Sequence, residues 1–179
     1  MDGMSDEIVF TTEEAAYHEA GHFVIAHLLR VPLGDIKMVG NQLRRACISA
    51  EGVGDWIREL QGDDSEVRLQ SAVRVLVAGE EGLIVYGTPS GKARVSGMGD
   101  IGTIRMLLQN APDHITGKSP AEDQIQQWIS DSRSYVKSIF SQDSPSRALA
   151  TLASILKDRD SMSASDAHDI VAPIVSPAI

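Results

Sequence analysis

Apolar residues recur at helical spacing along most of the chain, and the polar positions between them carry helix start and stop signals. Thr11-Thr12-Glu13-Glu14 places capping hydroxyls ahead of acids that suit the positive end of a helix, predicting a first helix to about Leu29, where Val31-Pro32-Leu33-Gly34 stops it. The short runs Ile36 to Val39 and Ala46 to Ser49 read as a small β-hairpin, and the chain around Gly52, Gly54 and Gly62 reads as loop. Asp63-Asp64-Ser65 caps a second long helix that carries Val67, Leu69, Val73, Leu76 and Val77 toward Tyr86, through Gly79 and Gly82, which are awkward inside a helix. Gly87 to Gly99 reads as an irregular loop, and Asp100 opens a helix through Ile101, Ile104, Leu107 and Leu108 that ends at Ala111-Pro112. Ser119-Pro120-Ala121-Glu122 predicts a helix to about Phe140. Pro145 to Lys157 and the shorter Ser165 to Val171 complete the helical set, and the tail beyond reads as loose.

Length and composition sharpen this pattern. At 179 residues and 42% hydrophobic, the chain has the size of one domain and enough apolar material for one core. Aromatic residues make up only 4%, so that core is aliphatic, which favours packed helices over aromatic-rich strands. The expected fold is mainly α with a small β-hairpin, as a single domain over residues 1–179.

Sixteen basic against twenty-five acidic side chains give a net charge of −9, which disfavours nucleic acid and anionic lipid as partners. A single cysteine, Cys47, forms no internal disulfide and fits a reducing compartment. Acids stand near the N-terminus where a signal peptide has bases, and no run approaches the ~18 apolar residues of a membrane span. These features predict a cytoplasmic protein without a membrane span.

The chemistry concentrates in the first helix, at Tyr17-His18-Glu19-Ala20-Gly21-His22. On a helix, residues four apart are separated by only ~40° around the axis and ~6 Å along it, so His18 and His22 reach one tetrahedral metal together. Glu19, one step round, faces the fourth coordination position and serves as general base toward a water there. A bland alternative is an amphipathic helix carrying two histidines on a polar stripe. His27 lies ~180° from His18 and cannot join the site. His114 and His168, near helix ends, are weak ligand candidates, and Cys47 reads as a small apolar residue.

Two other motifs are weaker. Gly97-Met98-Gly99-Asp100-Ile101-Gly102 fits the dinucleotide pattern but lacks the strand that should precede it. Gly87-Thr88-Pro89-Ser90-Gly91-Lys92-Ala93 imitates a phosphate loop with one residue too few and an alanine where Ser or Thr should bind magnesium.

A zinc site needs a third protein ligand, and many acids could serve. Here a resemblance narrows the choice. Tyr17 to His22 resembles the signature helix of the peptidase domain of the FtsH family of AAA-type zinc proteases. Leu76 to Gly87 resembles that family's second helix, with its Gly-Gly-Arg-Ala-Ala-Glu-Glu run, and Ser96-Gly97-Met98-Gly99-Asp100-Ile101 resembles its Gly-Ala-x-x-Asp-Leu turn. The resemblance covers residues 14–108, with a helical tail to about 171 matching in general character. It implies that Asp100 is the third zinc ligand, a role that competes with a plain helix N-cap. The arginine of the second motif is missing, its paired acids fall at Glu80 and Glu81 with an open role, and Ile104-Arg105 replaces the Ala-Thr that follows the family's aspartate. The expectation is a free-standing relative without the family's ATPase module.

The expected activity is zinc-dependent hydrolysis of a polypeptide substrate, with His18, His22 and Asp100 as ligands and Glu19 as base. The alternatives are a noncatalytic zinc-binding interaction or regulatory module, and a zinc hydrolase of another amide or ester. Homo-oligomerisation and a separate unfoldase stay open, as does cleavage preference.

Overall fold

Helix α1 (Thr12–Leu29) starts where its hydroxyl and acid predicted. Thr11 is its N-cap, accepting from the Glu14 N–H at 3.0 Å while the Glu14 carboxylate accepts from the Thr11 N–H at 2.8 Å. This reciprocal capping box satisfies two donors that a helix start leaves unpaired. The computed structural model describes residues 9–38, 65–111 and 120–175. Ala46 to Ser49, Gly52, Gly54, Gly62, Asp63, Asp64, Cys47, His114 and Ser119 lie outside the described residues.

The remaining described elements are β1 (Ile36–Lys37), α2 (Ser65–Tyr86), α3 (Ser90–Ser96), α4 (Met98–Gln109), α5 (Glu122–Phe140), α6 (Asp143–Leu156), β2 (Ser161–Met162) and α7 (Ala164–Val171). The fold is mainly helical with one small antiparallel sheet. Two expectations are corrected, and the described sheet is a long-range one. Ile36 pairs with Met162 and Lys37 with Ser161, so the strand after α1 has a partner near the far end of the chain. The Gly87–Gly99 stretch is not a loop throughout, because Ser90–Ser96 forms α3, with Pro89 as its N-cap and φ already set for a helix start. Finally, α4 begins at Met98, with Gly97 serving both as its N-cap and as the C-cap of α3. Asp100 therefore stands in the first turn of α4 and not at its cap.

The central helix is α1, packed chiefly against α2 and α6, while α5 covers another side of α2. Ala16, Ala20, Phe23, Val24, Ile25 and Ala26 of α1 are all buried, and they join Val73, Val77, Leu149 and Leu152 in one aliphatic core. Because α1 is covered on nearly every side, its histidines do not stand on a solvent-facing polar stripe.

A glycine on each helix, Gly21 of α1 and Gly82 of α2, explains how α1 and α2 come so close. A Cβ on Gly21 would lie 2.4 Å from the Ala78 carbonyl oxygen, and one on Gly82 would lie 2.7 Å from that of Tyr17. The loss of helix propensity at these positions, about 1 kcal/mol each, is offset by a backbone approach that no larger residue permits.

Candidate metal centre

His18 and His22 face α2 at this tight crossing. His18, Glu19 and His22 are 5%, 4% and 5% exposed. Three buried ionisable side chains on adjacent turns are costly unless they are paired or hold a ligand. Their Nε2 atoms lie 3.0 Å apart. Asp100 Oδ2, from the first turn of α4, lies 3.5 Å from His18 Nε2 and 3.7 Å from His22 Nε2. One ligand atom from each of the three residues falls within 4.8 Å of the others, the only such group among the described residues.

Hydrogen bonds at the far side of each ring fix which nitrogen faces inward. His22 Nδ1 donates to the Val75 carbonyl oxygen at 2.7 Å, since a carbonyl only accepts. The Ser96 hydroxyl donates to the Ala93 carbonyl at 2.6 Å, so at 3.4 Å it accepts from His18 Nδ1. When neutral, each ring thus turns an Nε2 lone pair toward the same point, next to a carboxylate. Two nitrogens 3.0 Å apart then need a cation between them, a proton or a metal ion, and this donor set fits a divalent metal. The floor of the cradle is Gly79: a Cβ there would stand 2.5 Å from His18 Cε1 and from His22 Nε2.

Electrostatics agree with this geometry. Burial disfavours a charged His18, but Asp100, Glu19 and Glu80 outweigh it and raise its pKa above the ordinary value. The site therefore favours positive charge at the inward nitrogens.

Behind the cradle, Glu80 is 1% exposed and carries ion pairs from Arg94 Nη1 at 2.8 Å and from Arg133, whose Nη2 donates to Oε2 at 3.0 Å. Its neighbour Glu81 is also buried, and burial followed by the Glu80 charge pushes its carboxyl up. Neither acid is in the His18–His22–Asp100 group.

The sequence singled out four residues of this centre. The structure brings His18, His22 and Asp100 together and buries Glu19 beside them. His27 sits elsewhere, its Nε2 donating to the Val175 carbonyl at 3.4 Å and its ring 5.0 Å from that of His168. Lys92 of the imitation phosphate loop is committed to Glu14, reaching both carboxylate oxygens at 2.7 Å. The Gly97–Gly102 run follows helix α3 and not a strand, so it lacks a dinucleotide frame. Sequence reasoning missed Ser96 and the Arg94–Glu80–Arg133 cluster, and it flagged Gly79 only as an anomaly.

Comparison with known proteins adds no family here: no family model matches the chain, and no curated protein matches it significantly. Among the described residues, no helix is long and apolar enough to cross a membrane.

Proposed function

We propose that this chain is a zinc metallopeptidase of the FtsH peptidase type, with His18, His22 and Asp100 as its ligands and a polypeptide as its substrate. The observation that carries the reading is the convergence of two histidine Nε2 atoms and a carboxylate oxygen on one point, with both rings locked by Nδ1 hydrogen bonds. When bound by these residues, zinc would polarise a carbonyl as a Lewis acid and would lower the pKa of a water toward ~7.

The protein's own part falls to four residues. Val75 and Ser96 hold the imidazoles in the tautomer that keeps Nε2 unprotonated. Asp100 adds a negative charge to two neutral rings. The Glu19 carboxylate takes a proton from the attacking water and returns it to the amide nitrogen as the C–N bond breaks, leaving a carboxylic acid and an amine. Supporting this role, Glu19 is buried on the same helix and close enough to His18 to favour its positive charge.

The test is metal analysis of untagged protein together with cleavage of a casein-type substrate. One zinc per chain with cleavage supports the peptidase. Zinc without hydrolysis assigns the chain instead to a noncatalytic zinc-binding module, and the absence of zinc binding rejects both.

A further inference from the structure

The third ligand comes from a helix that α1 barely touches, so something else must hold Asp100 against the histidines. Asp100 lies three residues after Gly97, the single residue that joins α3 to α4. A Cβ on Gly97 would be 2.9 Å from Glu80 Oε2, so the backbone of this junction rests on the Glu80 carboxylate. That carboxylate is itself fixed from two further elements. Arg94 of α3 donates to Oε1, and Arg133 of α5 donates through Nε to Oε1 and through Nη2 to Oε2, a two-pronged pairing that sets the plane of the carboxylate.

Glu80 follows Gly79, which floors the two imidazoles. One turn of α2 thus touches the histidines through Gly79 and the Asp100 junction through Glu80. A buried carboxylate with two arginine partners does not move cheaply, because parting it from them leaves a nearly inaccessible negative charge without its countercharges.

We infer that Glu80 is a positioning residue of the metal centre: clamped by Arg94 and Arg133, it seats the Gly97 junction so that Asp100 reaches the metal held by His18 and His22. The inference rests on the metal reading above and adds a residue that does not itself touch the metal. It accounts for a glutamate, since glutamine would present an amide N–H₂ to arginines that only donate.

The test is zinc affinity, measured by competition with a chromophoric chelator on the full chain as wild type, Glu80→Gln, Asp100→Asn and the double variant. Glu80→Gln should weaken zinc binding by about 10–100-fold, the range for residues that orient ligands. In the Asp100→Asn background the same change should alter affinity by less than about 3-fold, because its effect runs through Asp100. A merely structural glutamate would lower affinity equally in both backgrounds. An unchanged affinity in Glu80→Gln, or losses that multiply in full, overturns the inference while leaving the metal site standing. Should Glu80→Gln fail to fold, Arg133→Lys decides by the same comparison: it keeps the charge and loses the fork, and an unchanged affinity overturns the clamp. A wild type that binds no zinc removes the metal reading itself, and the positioning role with it.

Discussion

Asp100 Oδ2 lies 3.5 Å from His18 Nε2, although the two residues belong to helices α4 and α1, with the whole of α2 and α3 between them in the chain. Since Gly97 holds the N-cap position, Asp100 is not there to cap. Asp100→Asn should therefore weaken zinc binding by more than about 10-fold, because losing a ligand's charge costs at least as much as losing a residue that orients one. A chelator titration of both proteins checks this, and equal affinities would move the third ligand to another acid.

Gly79→Ala is the sharpest geometric test of the cradle. A methyl group 2.5 Å from both rings cannot be accommodated without separating α1 from α2 or turning the imidazoles out. The expected result is loss of zinc binding and a stability cost of about 1–3 kcal/mol, the range for overpacking a tight core. Denaturant unfolding and zinc titration on the same sample measure the two effects separately.

The pH dependence follows from His18. Its pKa stands above the ordinary 6.5, because Asp100, Glu19 and Glu80 outweigh burial. In the metal-free protein, the stability from this raised pKa is fully present below the unfolded value and is lost as pH rises through the folded one. Zinc needs the neutral ring, so protons compete with it, and apparent zinc affinity should fall as pH is lowered from 8 to 6. Titration of the His18 ring signal by NMR in metal-free protein, beside zinc affinity at the two pH values, checks both signs.

How much of this was open to sequence reasoning differs by element. The start of α1 and the pairing of His18 with His22 were readable, because capping and four-residue spacing are local rules. The partner of β1 was not, since Ser161–Met162 is a two-residue strand whose pairing depends on the whole helical stack. Helix α3 was hidden by its Gly, Pro and Ser content, and its N-cap, Pro89, carries no side-chain acceptor to announce it. The roles of Gly79 and Gly82 needed the helix crossing. Glu80 could not be separated from Glu81 before Arg133, far along the chain, was seen to close on it.

The junction between the start of α1 and α3 makes a prediction about stability that is independent of the metal. Glu14 is buried and accepts from Lys92, Thr88 and the Thr11 N–H. Although burial alone would raise its pKa, these partners carry it below the ordinary 4.5. Its contribution is therefore present above pH 4.5 and is lost as pH falls through the lower, folded value. Glu14→Ala should cost about 2–3 kcal/mol, from the lost capping box and the stranded Lys92, with the gap to wild type narrowing in acid. Urea unfolding at pH 7 and at pH 3 measures it.

The central claim is that Glu19 moves the proton in a metal-dependent hydrolysis. Its most direct test is peptide cleavage by wild type and Glu19→Gln, with the zinc content of each sample determined alongside. The predicted result is one zinc per chain in both proteins, with cleavage by the wild type alone, since the amide cannot accept the proton and is not a ligand. Cleavage by Glu19→Gln at the wild-type rate would contradict the account.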